Sequence, residues 1–201
     1  MKTIELKGAG RLIAERSSEK SRALKEIRKN DGVPCVVYGG KENIHFTVES
    51  EALRHLVYTP DIYLVYLEVD GLKMTVILKE IQFHPVSDKI LHIDFLEVSA
   101  TKPIVIAVPV RLDGLAEGVK SGGKLVLQMR KLSVRALYKN IPERLVIDVS
   151  SLTLGKTIKV SEVSFDGLEL LDVKDNVICA VKLTRAAKGL AATTSDSDKK
   201  E

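Results

Sequence analysis

Asp70-Gly71 separates two stretches in which apolar and polar residues alternate, and that pattern commits residues 62–80 to a β-hairpin. Asp-Gly is a favoured pair in two-residue type I′ turns, because both central positions need positive φ. If Val69 faces Leu72, then Tyr63, Val65 and Leu67 share a face with Met74, Val76 and Leu78. The opposite face then carries Glu68, Lys73, Thr75 and Lys79. A two-stranded ribbon with one apolar face is not stable alone, so the rest of the chain must supply more sheet.

The sequence around the hairpin does so. Ile4 and Leu6 alternate with polar residues as in a first strand, and a short second strand is expected over 11–15. Ser17 or Ser18 can cap a helix that stops at Asn30-Asp31-Gly32. Pro34 cannot continue a helix, so Cys35-Val36-Val37-Tyr38 reads as a strand closed by Gly39-Gly40. Ile44, Phe46 and Val48 alternate again, and Ser50 is expected to cap a short helix through Ala52, Leu53, Leu56 and Val57. A last strand over 89–98 puts Leu91, Ile93 and Phe95 on one side, with His92 and Asp94 on the other. The expectation for 1–98 is therefore an α+β domain with a mostly antiparallel sheet, its closure left open by the pattern alone.

The pattern changes near Ser99-Ala100-Thr101-Lys102-Pro103. Beyond it no helix is expected, only short alternating segments at 104–112, 124–127, 131–137, 144–149, 157–160, 168–171 and 177–183. Regularly spaced short strands predict a second, all-β domain over 99–184. The remaining 185–201 end in the small, polar and charged AATTSDSDKKE, for which disorder is expected.

Charge narrows the function. Residues 1–30 hold nine Lys or Arg against four Glu, a net of +5, while the whole chain carries only +4. The positive field is thus concentrated at one end. At about 100° per residue, Ala23, Leu24 and Ile27 share one arc of the predicted helix. Arg22, Lys25, Arg28 and Lys29 fill another, a cationic stripe suited to a polyanion. The bland alternative is a solvated helix face. No apolar run approaches the roughly 18 residues of a membrane span, and MKTIELKGAG has no signal-like apolar region. Tryptophan is absent, which argues against an aromatic-lined small-molecule pocket. Cys35 and Cys179 stand far apart without metal-like spacing and read as two reduced thiols of a cytoplasmic protein.

Three chemical sites deserve weighing. Gly118 to Leu125, GVKSGGKL, approaches a phosphate-binding loop, but Leu125 stands where Ser or Thr should hold magnesium, and a strand follows instead of a helix. His84, His92 and Asp94 contain metal-ligating types without a fourth partner or a rigid spacing. Cys35, His92 and Asp94 can be drawn as a nucleophilic triad, yet nothing in the sequence brings them together. No catalytic residue, metal or cofactor is assigned. His92 and Asp94, at i and i+2 on a strand, project together about 7 Å apart. Such a pair can hydrogen-bond base edges or a ribose 2′-hydroxyl; its bland reading is a surface polar pair. Tyr38, between a strand and two glycines, either stacks on a base or packs under a loop.

The stretches GVPCVVYGG (32–40) and IQFHPVSDKILHIDF (81–95), with Arg16 and Arg28 upstream, resemble bacterial large-subunit ribosomal protein L twenty-five. GLAEGVKSGGKL (114–125) and NIPERLVIDVSSLTLGKTI (140–158) are similar to the extra domain of its long form, the general stress protein CTC type. The resemblance implies an N-terminal β-barrel that binds 5S ribosomal RNA in a minor groove. The family's RNA-contacting positions match Arg16, Arg28, Tyr38, His92 and Asp94. Lys20, Arg22, Lys25 and Gln82 are looser matches, because SSEKSRALKE lacks the Gly-Lys of many members. The implied protein is not an enzyme. It works on cytoplasmic ribosomes, with neighbouring large-subunit proteins as further partners, and is a monomer off the ribosome. The alternative is a stress-linked RNA-binding or interaction module acting away from the ribosome, with its main activity in the β-rich part.

Overall fold

The computed structural model of the chain describes residues 1–11, 17–40 and 42–184, and for 17–21 the backbone alone. The short strand expected over 11–15 lies outside these residues from 12 onward, and the tail 185–201 lies outside them altogether. The chain divides into two compact units, Met1–Ile104 with Leu137–Glu143, and Val105–Ala136 with Arg144–Glu201.

The first unit is a closed six-stranded barrel. Its elements are β1 (Lys2–Gly10), α1 (Ser17–Lys29), β2 (Gly32–Tyr38), β3 (Ile44–Glu49), α2 (Arg54–Val57), β4 (Tyr63–Val69), β5 (Leu72–Phe83) and β6 (Ile90–Glu97). They run round the barrel in the order β1-β3-β2-β6-β5-β4. Asp70 and Gly71 both have positive φ, 48° and 84°, as a type I′ turn requires. Val69 pairs with Leu72, Leu67 with Met74 and Val65 with Val76, so the hairpin has the expected register. The sheet is not wholly antiparallel: β1 pairs with β4, and β2 with β6, in parallel. The first of these parallel pairs closes the barrel.

Alternation makes the wall two-sided. Leu6, Cys35, Val37, Phe46, Val65, Leu67, Val76, Ile93 and Phe95 are buried in one core cluster. Phe46 and Phe95 meet at its centre with ring centroids 5.8 Å apart. Two sequence expectations change here. Leu91 is only half-buried and Ile90 takes its core place, because the β5·β6 register shifts between Gln82 and Phe83 and bulges β6 at Leu91. The helix expected after Ser50 is a single turn whose N-cap is Leu53, with Leu53 and Leu56 buried beneath it.

The second unit contains β7 (Ile104–Asp113) from Val105 onward, α3 (Glu117–Lys120), β8 (Lys124–Leu127), β9 (Lys131–Ala136), β10 (Leu145–Asp148), β11 (Thr157–Lys159), β12 (Glu169–Leu170) and β13 (Val177–Lys182). They form a four-stranded sheet, β10-β7-β9-β12, and a three-stranded one, β11-β13-β8. The expected strands are present, and the one-turn α3 is an addition to the all-β reading. The glycine-rich loop after α3 leads into a strand, β8, so it lacks the following helix on which phosphate binding depends.

Truncating Phe46 removes one of the fully buried phenylalanine rings of the barrel. Phe46→Ala is expected to destabilise the first unit by about 3–5 kcal/mol. The measurement is amide hydrogen exchange, which should accelerate in β2, β3 and β6 while the strands of the second unit keep their protection.

Candidate nucleic-acid interface

The outward side chains of β3, β2, β6 and β5 fall into rows fixed by the register. Val36 lies opposite His45 on one side and Asp94 on the other, and Asp94 lies opposite Glu80. The row is thus His45, Val36, Asp94 and Glu80, one residue from each strand. In the next row Gln82 pairs with His92, and Pro34 with Thr47. Neighbouring strands are about 4.8 Å apart, so each row is a compact platform.

A bulge decides which β5 residues belong to it. The β5·β6 register also shifts between Leu78 and Glu80, leaving Lys79 as the extra residue. Strict alternation from Met74, Val76 and Leu78 would turn Glu80 and Gln82 into the barrel. With the bulge they are exposed outside, and Ile81 packs against the core opposite Ile93.

Within the platform, His92 Nδ1 donates to Asp94 Oδ1 at 2.7 Å, and the two side chains are 24% and 28% exposed. The bond orients the ring and leaves Nε2 for another partner. Tyr38 ends β2 beside this pair. Burial first, then the charges of Asp94 and Glu80, push its hydroxyl pKa above the ordinary value, so it remains a neutral donor at physiological pH. Two residues absent from the sequence-based set also belong to this face. His45 is half-buried on β3, and Arg11 is half-buried where its N–H donates to the His45 carbonyl at 2.8 Å. Arg11 Nε is buried without a hydrogen-bond partner among the described residues. The alternation of Ile44, Phe46 and Val48 carries a signal for His45, since it turns the intervening residue outward. Arg11 has none, because it follows the end of its strand.

The cationic helix docks beside the platform. A Cβ on Gly32 would lie 3.0 Å from both Ile27 Cγ2 and Thr47 Cγ2, so glycine permits the close approach of α1 to the sheet. Arg22, Lys25 and Lys29 are exposed as expected, and so is Ala23, which the helical arc had placed on the apolar side. Arg28 lies next to the apolar arc and is half-buried. Its Nε and Nη2 donate to the Leu91 carbonyl at 3.2 and 3.0 Å, which ties α1 to the bulge of β6. Arg28 is thus a structural tie as well as a cation, with its remaining N–H groups left for other contacts. Arg16 lies outside the described residues, and Lys20 is described only as backbone in α1.

The other candidate chemistries lose their geometry. Cys35 faces the barrel interior, fully buried and paired in register with Ile93, whereas His92 and Asp94 face outward. Burial pushes its thiol pKa up to about 12, the opposite of an activated nucleophile. His84 Nδ1 accepts from the backbone N–H groups of Val86 and Ser87 and so stabilises its own turn. No group of three or more metal-ligating side chains converges among the described residues. Chemically, the face offers neutral and acidic hydrogen-bonding groups beside a strip of cations.

The chain matches two family descriptions in tandem. Residues 12–95 match the Ribosomal L25p family, and residues 103–185 match the C-terminal domain of ribosomal protein TL5. It is 66% identical over 192 residues to the large ribosomal subunit protein bL25 of Bacteroides thetaiotaomicron, covering 96% of this chain and 98% of that one. The protein of the same name from Bacteroides fragilis is 67% identical with the same coverage. That from Porphyromonas gingivalis is 56% identical over 193 residues, covering 95% of this chain and 98% of its own.

The buried thiol gives a direct check of the inward orientation of Cys35. At pH 8 a group with a pKa near 12 is thiolate only about once in ten thousand molecules. Alkylation of Cys35 in the folded protein is therefore expected to be about three orders of magnitude slower than in urea. Peptide mass spectrometry reads this out, and equal rates would place the thiol on the surface.

Proposed function

The chain belongs to the ribosomal L25p family in its long, two-domain form, and on that premise we propose that its barrel binds 5S ribosomal RNA. The family makes it a structural protein of the large ribosomal subunit, associated with that subunit and its RNA and not an enzyme. The finer reading, 5S RNA as the partner and the α1 and barrel-wall residues as the contacts, is supported above all by the His92–Asp94 pair. Its 2.7 Å bond joins two neighbouring outward rows, on the wall beside which the cationic helix docks.

Division of labour follows from the charges. Arg22, Lys25 and Lys29 of α1 neutralise phosphates and release counterions, which makes affinity fall with salt. Arg28 adds charge at the junction of helix and sheet, and Arg16 and Lys20 extend the strip by resemblance to the family. The platform works differently. Asp94 and Glu80 repel phosphates, so a face that carries them is unsuited to a simple polyanion patch. Carboxylates accept from base amino groups and ribose 2′-hydroxyls, and Tyr38, Gln82 and His92 add donors and acceptors. The major groove of A-form RNA is too deep and narrow for these short side chains, whereas a shallow minor groove or irregular internal loop displays the matching groups.

The test uses the full chain with 5S RNA and an unrelated RNA hairpin across a salt series. His92→Ala/Asp94→Ala is expected to lose the preference for 5S RNA while keeping the salt slope. Arg22→Ala/Lys25→Ala is expected to weaken both RNAs and to flatten the slope by about 1.4–1.8, two phosphates' worth. Equal binding of both RNAs by the unaltered protein would reduce the interface to a non-specific basic strip.

A further inference from the structure

His45 occupies one end of the outward row, two strands away from Asp94 and about 10 Å from it at ordinary strand spacing. Its neighbours set its chemistry. The Arg11 backbone is hydrogen-bonded to the His45 carbonyl, and the Arg11 side chain is a cation near the ring. The negative groups of the face, Asp94 and Glu80, belong to β6 and β5 and lie on the other side of Val36. Half-burial first, then the charge of Arg11 and then that of His92, hold the imidazole pKa below its ordinary value. A ring in that setting is neutral, so one nitrogen remains a hydrogen-bond acceptor.

A neutral acceptor beside a cation suits an RNA group that can donate. Among the backbone groups of RNA that is the ribose 2′-hydroxyl, whereas a phosphate oxygen only accepts. We infer that His45 is a further specificity-determining residue of the interface, accepting a hydrogen bond from one ribose 2′-hydroxyl of the bound RNA. The inference rests on the 5S RNA reading above and adds to it a defined chemical target and a residue outside the family-matched set.

The experiment is a scan of single 2′-deoxy substitutions through 5S RNA, bound by the full chain, by His45→Ala and by His45→Gln. His45→Ala is expected to weaken binding about 3- to 10-fold, the worth of one hydrogen bond. Its salt slope should stay unchanged, since a neutral ring releases no counterion. One deoxy position should cost the unaltered protein a similar factor and cost His45→Ala nothing further. His45→Gln, which keeps an acceptor and does not titrate, should retain most of the affinity. Unchanged binding by His45→Ala, a flatter salt slope, or a deoxy scan with no position coupled to His45 would overturn the inference while leaving 5S binding intact. Failure of the unaltered protein to prefer 5S RNA would overturn the interface itself, and this inference with it.

Discussion

Closure of the barrel is the constraint on which the rest of the first unit depends. β1 and β4 pair in parallel over seven residues, Lys2 to Gly8 against Tyr63 to Val69, and β1 also takes two pairs with β3. A closed sheet has no edge among these six strands and only two sides. The inside is filled by Phe46, Phe95 and the aliphatic residues around them, so each strand must alternate or bulge. Whatever is turned outward is held on a wall whose back is packed solid.

That wall gives the interface its two kinds of chemistry. The helix supplies charge on side chains that reach outward from an element docked through Ile27, Leu24 and the Arg28 tie to Leu91. The sheet supplies short hydrogen-bonding groups at fixed spacings, with two carboxylates among them. A protein that needed only to hold RNA could dispense with the carboxylates, since they oppose phosphate binding. Their presence on the central row makes sense if discrimination rests there and affinity rests on the helix.

Much of this was legible beforehand, for identifiable reasons. The Asp70-Gly71 turn and the register beyond it depend on residues adjacent in sequence. Lys124–Leu127 and the other short strands of the second unit were visible because turn residues bracket each alternating run. His92 and Asp94 were visible as an i, i+2 pair between core residues. The misses share another cause. Ile90 replaces Leu91 in the core because of a bulge in β6, and the outward place of Gln82, expected only from the family resemblance, depends on another in β5. Arg28 stands at the border of two helical arcs, and only the position of the β6 carbonyl decides that it turns toward the sheet.

The sequence by itself determined the alternation, the turn chemistry and the concentration of positive charge in the first thirty residues, because these are properties of neighbours along the chain. Tertiary structure decided which strands stand side by side, and so that His45, Val36, Asp94 and Glu80 form one row although Val36 and Asp94 lie far apart in sequence. It also decided that Cys35 is an inert core thiol and that Arg11 lies beside His45. The physical reason is that strand order, register and bulges minimise the energy of a shared core, and no single strand contains the information about the others that packing supplies.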